Sequence, residues 1–229
     1  MRYLNKIVFI NSAAIRYSEV QLDGNIHLIG TQGVGKSTIL RAILFFYNAD
    51  TQRLGIPVEK KSYQDYYFPY ADSSIIYEVA REDGWFTVLS YKTMNRICYR
   101  FIASPYRPDL FIDEEGAPYP SDRIRSVLDK NGIKYSGAIS TYEEYRNILY
   151  GNSDNKRDYS CYSLMESGSY QNIIRTIQNV LLNSRLEADY IKQTIITSLN
   201  EADSVIDLSR YRSHLSGFEA QLNLSLIHI

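Results

Sequence analysis

Over residues 1–30 the apolar positions fall in short runs that read as strands. Lys6-Ile7-Val8-Phe9-Ile10 is one run, and Tyr17-Ser18-Glu19-Val20-Gln21-Leu22 alternates with a period of two. Asp23-Gly24 supplies a tight turn between elements. Asn25-Ile26-His27-Leu28-Ile29 reads as a third strand that runs straight into Gly30. The period then changes. Ile39, Leu40, Ile43, Leu44 and Tyr47 recur at helical spacing, which predicts a helix from Lys36 to about Asn48.

Residues 49–74 carry no clear period and are expected to form an irregular polar surface segment. A meander follows: residues 75–81 and 85–91 flank the Asp83-Gly84 turn, and Ile97, Tyr99 and Phe101 alternate with Cys98, Arg100 and Ile102. Pro105, Pro108, Pro118 and Pro120 exclude a helix there and predict a loop or hairpin. Short helices are expected over 122–131 and 141–150, with a loop over 151–160. From Tyr170 the pattern is helical, first through Ile173, Ile177, Val180 and Leu181, then over 186–199. Leu208, Tyr211, Leu215, Phe218 and Leu222 are spaced as a heptad seam, which predicts the start of a coiled coil, with a core helix as the alternative.

Composition narrows the classes. Hydrophobic residues make up 45% and charged residues 22%, a globular balance. A formal net charge of −1 gives no global footprint for nucleic acid or an anionic membrane. No stretch approaches the roughly 18 apolar residues of a bilayer-spanning helix, so no membrane partner is expected and the localisation expected is cytoplasmic. Cys98 and Cys161 lack metal-ligand spacing and read as reduced thiols. His27, His214 and His228 have no mutual spacing that would hold a metal. The 21 tyrosines are scattered along the chain, so they read as half-buried packing rather than a recognition surface.

One segment carries specific chemistry. Gly30-Thr31-Gln32-Gly33-Val34-Gly35-Lys36-Ser37 fits G-x-x-x-x-G-K-[ST] at every fixed position. Glycines permit φ > 0, so successive N–H groups can turn inward onto phosphate oxygens. The following helix adds free N–H groups and the positive end of its dipole. Lys36 is expected to reach the β- and γ-phosphates, the Ser37 hydroxyl to ligate Mg²⁺, and Thr38 to contact the α-phosphate. The cofactors expected are therefore ATP and Mg²⁺. Hydrolysis also needs an acidic strand end, and only Leu110-Phe111-Ile112-Asp113-Glu114 offers one. Asp109 interrupts that run and Glu115-Gly116-Ala117-Pro118 turns the chain at once, so an exposed hairpin tip is the preferred reading.

The P-loop with Thr38, the strand-rich start and Leu40-Arg41-Ala42-Ile43 resemble the N-terminal half of an SMC-type ATPase head. That superfamily includes the MukB, MksF and Wadjet JetC groups. Ser167-Gly168-Ser169-Tyr170-Gln171-Asn172-Ile173 and Ile177-Gln178-Asn179-Val180-Leu181-Leu182-Asn183-Ser184 resemble the stretch before the coiled coil of such heads. Two positions depart from the pattern. Gln32 stands where Asn is common, and Glu166 stands where related heads place a glutamine that senses Mg²⁺ and the γ-phosphate. The resemblance implies an α/β fold, an ABC/SMC-type P-loop NTPase half-head with an antiparallel meander and the start of a coiled coil. It divides the chain into an ATP-binding lobe over 1–200, the start of the coil over 201–223, and a tail over 224–229. The partners it implies are the C-terminal half of the same head, which carries the signature motif and the acidic pair, a second SMC-like subunit in an ATP-sandwiched dimer, and DNA. The process it implies is chromosome organisation or anti-plasmid defence.

Leu224-Ser225-Leu226-Ile227-His228-Ile229 matches one reading frame of a transposase-based sequencing adapter, and the native chain is expected to continue beyond residue 223. Two other functions fit the same residues. One is a self-contained P-loop NTPase that uses Asp113 and Glu114. The other is a DNA-clamping or structural module that binds nucleotide without turnover.

Overall fold

The computed structural model describes residues 2–24, 26–48, 51, 54, 56, 61–94, 96–151 and 159–164. All belong to the first of the chain's two units, Met1–Leu186. The helices predicted after residue 170, the heptad seam, Glu166 and the tail over 224–229 lie outside the described residues.

Strands β1 (Tyr3–Ser12) and β2 (Ile15–Gln21) form a hairpin at one edge of a five-stranded sheet. β1 pairs on its other side with β3 (Ser74–Arg81), and β4 (Gly84–Thr93) and β5 (Arg96–Ile102) complete the order β2-β1-β3-β4-β5. Every pairing is antiparallel. The fold shown is thus mixed α/β, built on an antiparallel sheet with few helices. The meander is where the alternating pattern and the Asp83-Gly84 turn put it, with Arg81 opposite Gly84.

Seven consecutive residues of β3, from Ser74 to Ala80, are buried, so the sheet is covered on both faces. One face holds Ile7, Phe9, Ile75, Tyr77, Val88 and Phe101 against α1 (Lys36–Asn48) and α4 (Tyr142–Leu149). The other holds Val8, Ile10, Ile76, Leu89 and Ile102. It is covered by a 3-10 turn at Pro108–Leu110 and by α3 (Ser121–Lys130), through Leu110, Phe111, Ile124 and Leu128. Alternate residues of β1 therefore serve opposite layers, as a pleated strand requires. A register shift between Leu4 and Lys6 acts as a bulge and returns Leu4 to the same face as Ile7 and Phe9.

Three expectations need correction. Residues 26–29 are not a strand: none pairs with a neighbour among the described residues, and Ile29 is 90% exposed. Extended backbone becomes a strand only when another chain segment satisfies its N–H and C=O groups. Second, the segment over 49–74 is not wholly irregular. It contains α2 (Tyr63–Tyr67), capped by Ser62, whose hydroxyl accepts the N–H of Asp65 at 3.1 Å. Tyr63, Tyr67, Phe68 and Leu54 are buried rather than on the surface. Third, α1 has the predicted bounds but a broader buried face. Ala42, Phe45 and Phe46 lie deeper than Ile39 and Ile43 because tyrosines of α2, β3 and α4 close over that side.

Candidate functional site

The glycine-rich loop leads directly into α1, and its backbone takes the conformations its composition permits. Gly33 and Gly35 sit at φ of 92° and 94°, a region L side chains rarely enter. At Gly30 a Cβ would come within 2.8 Å of Val34 Cγ2, so the loop closes on itself at that point. The N–H groups of Thr38 and Ile39 both donate to the Gly35 carbonyl, at 2.9 and 3.1 Å. The N–H groups ahead of them precede the first bond of the helix, as in any α-helix N-terminus.

Lys36 curls across this loop. Its Nζ donates to the carbonyls of Gly30 at 2.6 Å and Thr31 at 2.7 Å. An ammonium has three donors, so these two bonds fix its position and leave one for a ligand. Gln32, Gly33, Gly35, Lys36, Ser37 and Thr38 line a cleft of about 630 Å³, within the range of small-molecule sites. The predicted site residues from 30 to 38 are contiguous in space, with Thr31 and Val34 in the loop body rather than on the cleft wall.

The rest of the lining was not read from the sequence. It consists of Arg41 on α1 together with Ile56, Lys61, Tyr66 and Tyr67. Two of these belong to α2, and Tyr67 ties that helix to α1 by donating its hydroxyl to the Thr38 carbonyl at 2.7 Å. Burial pushes the Tyr67 hydroxyl far above its ordinary value, against the opposing pull of the Arg41 guanidinium and the bond to Thr38. It therefore stays protonated and keeps donating. Tyr66 lies edge-on to Tyr67 with centroids 5.1 Å apart, and its hydroxyl stands 3.4 Å from Thr38 Oγ1. The signals for this part of the lining were the Ser62…Asp65 cap and the Tyr63/Tyr67 pair one turn apart.

The cleft is electropositive: Lys36, Arg41 and Lys61 line it, and no carboxylate does among the described residues. Such a lining suits a polyanion. Asp113 and Glu114 lie elsewhere, on the hairpin that covers the opposite face of the sheet. The Asp113 carboxylate accepts the N–H groups of Glu115 and Ala117 at 3.1 and 2.7 Å, so it organises the hairpin turn. No cluster of metal-ligating side chains occurs among the described residues, which include His27. Cys98 is buried and Cys161 exposed, and neither is in a disulfide. No helix among the described residues is long and apolar enough to cross a membrane.

Loop, helix and sheet together define a mixed α/β protein with a glycine-rich loop at the head of a helix that packs on an antiparallel sheet. Its family follows from the sequence match: a family model described as "Protein of unknown function (DUF3584)" matches residues 12–216, most of the chain, and the chain belongs to that family. No curated protein matches it.

Proposed function

We propose that this chain binds ATP with Mg²⁺ as the N-terminal lobe of an SMC-like ATPase. The observation that carries the reading is the cleft at the head of α1, where the P-loop residues, Lys36 and two further cations meet with no acid among them. Lys36 would hold the β- and γ-phosphates through its remaining donor, and the Ser37 hydroxyl would hold the metal. Bound Mg²⁺ would supply charge neutralisation between those phosphates. The family's domain occurs in SMC-like proteins, which supports the same reading.

A composite site accounts for two further features. Among the described residues no carboxylate lines the cleft, which fits a head whose acidic residues come from a C-terminal lobe. The segment over 26–29, which pairs with no strand among the described residues, is exposed at Ile29, as is Val34 in the loop, and would offer an edge for that lobe to cover. Action on DNA, the ATP-sandwiched pairing with a second SMC-like subunit, and the coil that joins the lobes rest on the sequence resemblance. The reading with Asp113 and Glu114 as catalytic groups finds no support in their position across the sheet.

Calorimetric titration of the chain with Mg-ATP tests the reading. Lys36→Ala removes a charge-assisted contact worth about 1.5–3 kcal/mol, so affinity is expected to fall roughly ten- to hundred-fold. Equal binding by wild type and Lys36→Ala would overturn it.

A further inference from the structure

The order of the P-loop side chains sets a direction along the cleft. On the reading above, Lys36 serves the β- and γ-phosphates and Thr38 the α-phosphate, so a triphosphate runs from its tail to its nucleoside end between them. The nucleoside is attached at the α-phosphate, so a ring beside Thr38 is placed to meet it. Tyr66 is such a ring: its hydroxyl is 3.4 Å from Thr38 Oγ1, a contact at the outer limit of hydrogen bonding.

Three observations make Tyr66 a platform rather than a stray surface residue. Its ring is 39% exposed and lines the cleft, so one surface is available to a ligand. Its neighbour Tyr67 is buried and bonded to the Thr38 carbonyl, which fixes the height of α2 above α1. The edge-on contact between the two rings, at 82°, holds the Tyr66 plane at a set angle. A tyrosine carried on a short helix capped by Ser62 loses little entropy on binding, because packing has already ordered it.

We propose that Tyr66 is the nucleobase-recognition residue of this cleft, stacking its phenol ring on the base of the bound nucleoside triphosphate. The inference rests on the P-loop reading and adds a second, independent determinant. Lys36 recognises phosphate and Tyr66 recognises the base, so each can be removed separately. A ring that stacks reads a π-face rather than a hydrogen-bond pattern.

Calorimetry of the full chain with Mg-ATP and with inorganic tripolyphosphate separates the two determinants. Base–aromatic stacking is worth enough that Tyr66→Ala is expected to weaken ATP roughly ten-fold, while tripolyphosphate binding stays within about two-fold of wild type. Tyr66→Phe keeps the ring and is expected to bind ATP within about two-fold of wild type. The proposal is overturned if Tyr66→Ala weakens both ligands equally, if it weakens neither, or if Tyr66→Phe loses as much ATP affinity as Tyr66→Ala. Lys36→Ala is the internal control. If it binds both ligands as wild type does, the P-loop reading itself fails. If it loses both while Tyr66→Ala loses neither, only the stacking role falls.

Discussion

The two faces of the sheet are built from alternate residues of the same strands, yet they are held by different forces. On the face of α1 the core is aromatic and four of its tyrosines act through their hydroxyls. Tyr67, Tyr77, Tyr145 and Tyr150 donate to the carbonyls of Thr38, Ala42, Phe46 and Tyr47, at 2.7, 3.1, 2.6 and 2.6 Å. These bonds run the length of α1 and satisfy two carbonyls of its last turn, where intrahelical partners run out. On the opposite face the contacts are mainly aliphatic, among Val8, Ile10, Ile76, Leu89, Leu110 and Leu128. Burial there is non-directional, except at the Glu78 carboxylate, which accepts the side-chain amide of Asn5 and the N–H of Tyr106, each at 2.7 Å. Tyrosine hydroxyls bond the backbone of the helix that presents the loop, whereas α3 and the hairpin cover the sheet mainly by aliphatic burial.

Matched truncations break this comparison most sharply. Phe45 is buried under α1, stacked on Tyr63 with centroids 4.4 Å apart, and Leu110 is fully buried on the far face. Phe45→Ala is expected to cost about 3–5 kcal/mol, and Leu110→Ala about 2–5 kcal/mol, in urea unfolding followed by circular dichroism. ATP affinity should fall with Phe45→Ala and hold with Leu110→Ala. If both variants weaken ATP alike, the division between the faces is wrong.

Removing a single hydroxyl sharpens the same point with a smaller effect. Tyr145→Phe leaves the ring in place and takes away the bond to the Phe46 carbonyl, at a cost of about 0.5–1.5 kcal/mol in the same unfolding measurement. No loss at all would mean that these hydroxyls only follow the packing.

Alkaline titration probes the whole set of tyrosines together. Burial raises the ionisation of Tyr63, Tyr67, Tyr77 and Tyr145 well above the ordinary tyrosine value near 10. The neutral phenol is thus favoured in the folded chain and not in the unfolded one. The stability this contributes is intact below about pH 10 and is lost as pH rises beyond it, because only the unfolded state then releases protons. Tyrosinate absorbance should therefore rise in two stages, exposed tyrosines first and the buried group together with unfolding. One smooth titration with all tyrosines ionising near pH 10 would contradict the burial.

Much of this was legible where a local rule decided the outcome. The Asp83-Gly84 turn with its flanking alternation gave β3 and β4, and Gly35-Lys36 marked the start of α1 to the residue. Thr141 capped α4 close to where the short helix was expected. What failed depended on partners distant in the chain. The depth of Phe45 and Phe46 comes from α2, β3 and α4, so the spacing within α1 could not show it. The third strand failed for a related reason: residues 26–29 have strand composition, but a strand exists only by pairing. At the site, the glycine-rich stretch was visible because its pattern is local. The rest of the cleft lining was not, because Tyr66 comes beside Thr38 only in the fold, where Tyr67 bonds α2 to α1.

The unpaired approach to the loop has a practical consequence for handling the protein. Residues 26–29 pair with no strand among the described residues, and Ile29 and Val34 are 90% and 59% exposed. Such an edge is a template on which a second copy can lay its own strand. The segment that best marks where another lobe would join is therefore also where the isolated chain is most prone to aggregate as its concentration rises.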